Sequence, residues 1–288
     1  MGEPSYARAA GVRIAYERTG SGTPLLLLHG WPQTRRIWRR VVRGLSDRFD
    51  CITADLRGYG DSAPAADPAT YDKRTMAEDM LALMEEIGVD GRFLVIGHDR
   101  GARVARRLAA DHPDRLCGAA LIDVMPLEWV YEQGPDAHAL RYAHWYFHLQ
   151  RGLAEELIGA RPEQYARHYL ARSHVALDPG DVEHYVRQFS RPEGIAATLA
   201  DYRTAFHVDR RRWLADMAAG RRVEVPLLVL WGDRGNLAGD LPVLEEWRAR
   251  ATDVRGHMIT GSGHYVPEEQ PKAVVAAVRD FADELGLP

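Results

Sequence analysis

The residues Gly97-His98-Asp99-Arg100-Gly101 set a carboxylate between two glycines, where an apolar run, Phe93 to Ile96, meets a helical stretch, Arg100 to His112. The spacing is that of a nucleophile elbow, G-x-S-x-G, with Asp99 in the serine position. Glycine on both sides lets the backbone turn sharply, so the middle side chain stands exposed above the strand. A carboxylate held that way can attack carbon and form an ester, which water must then cleave. Two further segments suit that chemistry. His29-Gly30-Trp31-Pro32 follows the apolar run Pro24 to His29, and the backbone amides of Trp31 and Arg100 are candidates for an oxyanion hole. Gly261-Ser-Gly-His264 follows the last predicted strand, Val254 to Ile259, and offers a histidine as general base.

The cations beside the carboxylate point to the substrate. Arg100 and Arg103 are spaced i, i+3 at a helix start and project from one face. The helix N-terminus adds partial positive charge. Two guanidinium groups there can grip a small carboxylate in a planar fork and keep Asp99 ionised. Arg106 and Arg107, further along, read as residues of the solvated side.

With these motifs in place the chain resembles the α/β-hydrolases over nearly its whole length, including Asp55-Leu-Arg-Gly-Tyr-Gly-Asp-Ser62. An aspartate nucleophile narrows the resemblance to the dehalogenase and epoxide hydrolase branch. Arg100, where those enzymes usually carry tryptophan, makes Asp99-Arg-Gly-Ala-Arg103 similar to the haloacetate dehalogenases, in particular those acting on fluoroacetate. The resemblance implies that Asp123 orients His264. The alternative acid, Asp233 in Trp231-Gly-Asp-Arg234, reads as a loop residue. It also implies that His144, Trp145 and Tyr202 donate hydrogen bonds to a departing halide. Asp99 would then displace halide from a short 2-haloacid bound on Arg100 and Arg103, and His264 would activate the water that cleaves the ester. No metal or organic cofactor enters that scheme, and a homodimer is expected from the resemblance alone. The same Asp99 and His264 would serve an epoxide hydrolase, with Tyr202 and Tyr142 or Tyr146 as ring-opening acids. A non-catalytic binding protein on the same fold is a third reading.

The elements that must position these residues follow from the apolar pattern. Tyr6 to Ala9 and Val12 to Glu17 suit a hairpin. Strands are predicted over Pro24 to His29, Cys51 to Asp55, Phe93 to Ile96, Ala119 to Asp123, Pro226 to Trp231 and Val254 to Ile259, with Pro24 to His29 and Phe93 to Ile96 read as buried. Helices are predicted over Arg35 to Leu45, Asp72 to Ile87, Arg100 to His112, Leu241 to Ala251 and Gln270 to Leu285. Alternation of this kind argues for an α/β fold, a mostly parallel sheet with helices on both faces. From Met125 to Arg222 no strand pattern occurs. Residues 1–124 and 223–288 therefore read as the core domain, and 125–222 as a helical cap inserted over the strand ends, where ligands bind in such sheets.

Composition excludes other classes. Of the 288 residues 46% are hydrophobic, enough for a large core and too many for a disordered chain. The net charge of −4 does not favour nucleic acid as partner. No apolar stretch approaches the roughly 18 residues of a membrane span. The 2 cysteines, Cys51 and Cys117, do not make a disulfide scaffold, so a cytoplasmic location is expected. The histidines are scattered and form no metal set. Lys73 and Lys272 are the only lysines of the chain.

Overall fold

The structure is a computed structural model that describes residues 3–133 and 141–288. Eight strands form one sheet in the order β1-β2-β4-β3-β5-β6-β7-β8. They are β1 (Ser5–Ala9), β2 (Val12–Thr19), β3 (Thr23–Leu28), β4 (Phe49–Ala54), β5 (Phe93–His98), β6 (Leu116–Ile122), β7 (Leu227–Gly232) and β8 (Val254–Ile259). β1 pairs antiparallel with β2, and β2 with β4; every pairing from β4 to β8 is parallel. Parallel strands need crossovers, and the helices that make them cover both faces.

The leucines of β3 illustrate why the central strands read as unbroken apolar runs. Leu26 and Leu28 pack with Val95, Leu121 and Val229 on one face. Leu25 and Leu27 pack with Leu94, Ile96 and Phe281 on the other. Each such burial is worth about 1.5–3 kcal/mol, and cutting Leu26 to alanine would cost about 2–5 kcal/mol.

In chain order the helices are α1 (Arg39–Arg43), α2 (Lys73–Glu86), α3 (Arg100–Asp111), α4 (Leu127–Glu132), α5 (Ala143–His148), α6 (Leu153–Ala160), α7 (Pro162–Leu170), α8 (Pro179–Phe189), α9 (Pro192–Thr204), α10 (Arg210–Ala218), α11 (Val243–Arg248), α12 (Val266–Glu269) and α13 (Pro271–Glu284). The predicted helix from Arg35 begins as a 3-10 turn, Arg35–Trp38, capped by the Thr34 side chain, before α1 continues it. Asp72 caps α2 by accepting from the amides of Arg74 and Thr75. Between β6 and β7 the described residues form helices α4 to α10 and no strand of the sheet. α9 passes through a π-turn, Ala205–Asp209, into α10. Among the described residues no helix is long and apolar enough to cross a membrane.

Candidate active site

Asp99 sits between the end of β5 and the first residue of α3, with φ 47° and ψ −110°. That left-handed conformation is costly for a residue with a side chain and is held by close packing around it. A Cβ on Gly97 would lie 2.4 Å from the backbone of Gly101, and one on Gly101 would lie 2.3 Å from the Leu28 carbonyl oxygen. Neither glycine can be replaced without moving the elbow. The two Asp99 oxygens have different surroundings. Oδ1 accepts the Trp31 amide at 3.1 Å. Oδ2 stands 4.0 Å from His264 Nε2.

His264 Nδ1 donates to Asp123 Oδ2 at 2.6 Å, which fixes the tautomer and leaves Nε2 facing Asp99. Asp123 Oδ1 accepts the Gly232 amide at 3.2 Å, and its backbone is also left-handed, with φ 51°. Asp233 takes the amides of Gly261 and Ser262 and shapes the loop that carries His264. Burial resists ionisation of Asp99, yet His264, Arg100, His98 and Arg103 together hold its carboxyl below the usual range. Burial opposes charging of His264 too, but the Asp123 hydrogen bond and the charges of Asp123 and Asp99 raise its pKa above the ordinary 6.5. His98, to which the sequence assigned no chemistry, is fully buried and donates from Nε2 to the His264 carbonyl at 2.8 Å.

The arginines of α3 depart from expectation in two ways. The Arg100 guanidinium does not line the cavity above Asp99. It lies behind the wall, with Nε 3.1 Å from Asp201 Oδ2 and Nη2 on Asp201 Oδ1, and it stacks 4.2 Å over the Tyr202 ring. Asp201 also takes the Tyr59 hydroxyl and the ammonium of Lys73, so one buried carboxylate holds two cations. Arg106 and Arg107, expected on the solvated side, are buried at 3% and 4% exposure. Arg106 forks onto Glu128 with two 2.9 Å bonds, and Arg107 reaches Asp216 at 2.8 Å. The cap supplies both partners and covers that face of α3.

Arg103 does line the cavity. It is 6% exposed, donates from Nη1 to the Met125 carbonyl at 3.3 Å and stacks 4.9 Å from the Trp145 ring. Among the described residues no carboxylate pairs with it, and its Nε has no partner. Burial and the nearby Arg100 lower its pKa from the usual arginine value.

The cavity holds about 260 Å³, a size for a small substrate. Asp99, Asp123, His264, Trp31 and Arg103 meet His144, Trp145 and Tyr202 of the cap around it. Among the described residues the His144 ring, the Trp145 indole N–H and the Tyr202 hydroxyl carry no side-chain hydrogen bond, which leaves them available to a ligand. Burial drives the His144 pKa well below 6.5, so the ring is neutral and keeps one N–H. Tyr142, read from sequence as a ring-opening acid of the epoxide hydrolase alternative, lines the cavity too, as do Arg172 and Arg234, which carried no sequence reading. Nothing in the local sequence around Asp201 marks it as the partner of Arg100 and Lys73. Lys73 carried a signal in being one of two lysines. No group of three His, Cys, Asp or Glu residues able to hold a metal occurs among the described residues.

Comparison with known proteins agrees with this fold. Residues 23–271 match the family model described as the alpha/beta hydrolase fold. The chain is 35% identical over 273 residues to a fluoroacetate dehalogenase from Burkholderia sp, covering 92% of this chain and 88% of that protein. It is 36% identical over 281 residues to a soluble epoxide hydrolase from Corynebacterium sp. (strain C12), covering 94% of each. The solved structure of the epoxide hydrolase CorEH without ligand superposes with a TM-score of 0.87 at 32% identity, covering 98% of this chain and 99% of that one.

Proposed function

The chain belongs to the alpha/beta hydrolase family, and we propose that within it this protein is a hydrolytic dehalogenase of short 2-haloacids, with Asp99 as nucleophile. The observation that carries the substrate class is Arg103: a buried cation, facing the cavity, with no carboxylate partner among the described residues. Such a group gains most from an anionic ligand. A neutral substrate would leave it with the Asp99 charge alone, and no ion-pair partner.

The substrate carboxylate binds Arg103, which sets the halogen-bearing carbon over Asp99. Arg100, held on Asp201, contributes its positive field and not a ligand contact. Oδ2 attacks the carbon in line, the carbon–halogen bond breaks, and the halide leaves with the bonding pair toward the N–H and O–H groups of His144, Trp145 and Tyr202. Oδ1 becomes the carbonyl oxygen of the ester. It already rests on the Trp31 amide, so the oxyanion formed in the second step is met by a donor in place. The Arg100 amide is the second proposed donor.

Ester formation also readies the base. The Asp99 charge helps to hold the His264 pKa up. Esterification removes that charge, the pKa falls, and His264 becomes the neutral base when water must be activated. Water attacks the ester carbonyl carbon, His264 Nε2 takes its proton, Asp123 stabilises the imidazolium, and the hydroxy acid departs with Asp99 restored.

Halide release from fluoro-, chloro- and bromoacetate tests the reading, with glycolate as co-product. Single turnover in heavy-oxygen water is expected to leave label in Asp99, and an unlabelled Asp99 excludes the covalent scheme. The second reading, an epoxide hydrolase, is favoured by Tyr202 and Tyr142 both lining the cavity that holds Asp99. Styrene oxide assayed beside chloroacetate separates the two.

A further inference from the structure

Two residues that line the cavity are also exposed, so they stand at its open end. Arg172 follows α7 in the cap, and Arg234 follows β7 in the core, with its side chain 54% exposed. Among the described residues Arg172 has no ion-pair partner, and Arg234 has only a long one. Arg172 donates to Asn236 Oδ1 at 3.1 Å. Arg234 hydrogen-bonds to the ring of His174. Its nearest acid, Asp233, lies 3.9 Å away and already accepts two backbone amides. A third cation, Arg141, donates to the Asn236 carbonyl at 2.9 Å, so two cap arginines clasp one residue of the loop after β7.

The charge count around the cavity runs against that of the molecule. The chain carries −4 overall. The cavity lining holds Arg103, Arg172 and Arg234 against Asp99 and Asp123, three cations to two carboxylates. Asp123 is committed to His264. A small anion arriving from solvent therefore meets positive charge at the rim before it meets Arg103 below. Low-dielectric walls on either side concentrate that field.

We infer that Arg172 and Arg234 form an anion-selective mouth, which draws small carboxylates into the cavity and discriminates against neutral molecules of the same size. The inference deepens the haloacid reading and rests on it. The two arginines are specificity residues of the approach and take no part in bond making.

The experiment is kcat/KM for chloroacetate as ionic strength rises from about 20 to about 300 mM, over which the screening length shrinks from roughly 20 Å to below 10 Å. For the native protein kcat/KM is expected to fall about threefold to tenfold. In the double variant Arg172→Gln/Arg234→Gln it is expected to start about tenfold lower and to stay nearly flat with salt, with the loss in KM and not in kcat. Arg8→Gln, an exposed change of the same charge on β1, controls for net charge and is expected to follow the native curve. A double variant with native kcat/KM and native salt slope overturns the mouth while leaving the haloacid reading intact. If the native protein releases no halide, that reading has failed. Glycolate binding by calorimetry then judges the mouth: weaker binding in the variant and in salt upholds it, and equal binding overturns it.

Discussion

Helix α3 buries four arginines, and its two ends treat them differently. In the distal half each charge has a counter-charge. Arg106 forks onto Glu128 and lies 3.6 Å over the Trp213 ring, and Arg107 meets Asp216. At the cavity end Arg100 is matched by Asp201, but Arg103 has a carbonyl and an indole face and no carboxylate among the described residues. Desolvating a guanidinium is expensive, and a counter-ion offsets it. The distal half meets that cost within the fold. The cavity end leaves more of it to be met by whatever enters, and that difference separates arginines that brace the fold from the one proposed to bind substrate.

The sharpest way to break the comparison is Arg103→Leu. Haloacetate kcat/KM is expected to fall about 10²–10³-fold, the scale for losing a buried charge-assisted contact, while the thermal midpoint holds or rises because a buried cation without an ion-pair partner is gone. Steady-state kinetics beside a melting curve checks both, and retained activity would remove Arg103 from substrate binding. Asp201→Asn turns the matched arginine into an unmatched one and strands Lys73 as well. A loss of about 3–5 kcal/mol in denaturant unfolding is expected, partly restored by adding Lys73→Met. Arg106→Leu should cost about 3 kcal/mol, softened because Arg250 still holds Glu128, while the activity of the folded fraction changes little. A large specificity change in that variant would erase the distinction between the two ends.

The ends should also answer pH differently, with a smaller effect. Glu128 is pulled down to about 2, mainly by Arg106 against the burial that opposes ionisation. Its folded value is depressed, so its contribution to stability is present above its unfolded value near 4.5 and is lost as pH falls toward 2. The cavity end fails earlier. His264 works as base only when neutral, so turnover is expected to drop on the acid side while Asp99, held below the usual carboxylate range, still forms its ester. Intact-protein mass spectrometry of chloroacetate reactions quenched at about pH 5 should find accumulated ester; its absence would remove His264 from the hydrolytic step.

Much of this architecture could be read from the chain because its signals are local. The strand predicted over Val254 to Ile259 is β8 with the same bounds. The paired glycines around Asp99 mark a turn that only close backbone packing explains. What could not be read depends on partners distant in sequence. Asp201, which holds Arg100, lies 101 residues further along the chain in an ordinary helix. Arg106 and Arg107 read as solvated because an amphipathic helix on a sheet normally has an outer face. Here Glu128 of α4 and Trp213 of α10 close over it. An inserted segment changes which side of a core helix is outside, and no periodicity within that helix reports it.

The bond from His98 to the His264 carbonyl has a mechanical meaning. The loops that carry Asp99 and His264 share one tether, so displacing either one strains it. Burial, reinforced by His264, pushes the His98 pKa down to about 3. The tether stays uncharged across the working range, and protonation of the neighbouring imidazole leaves its grip unchanged.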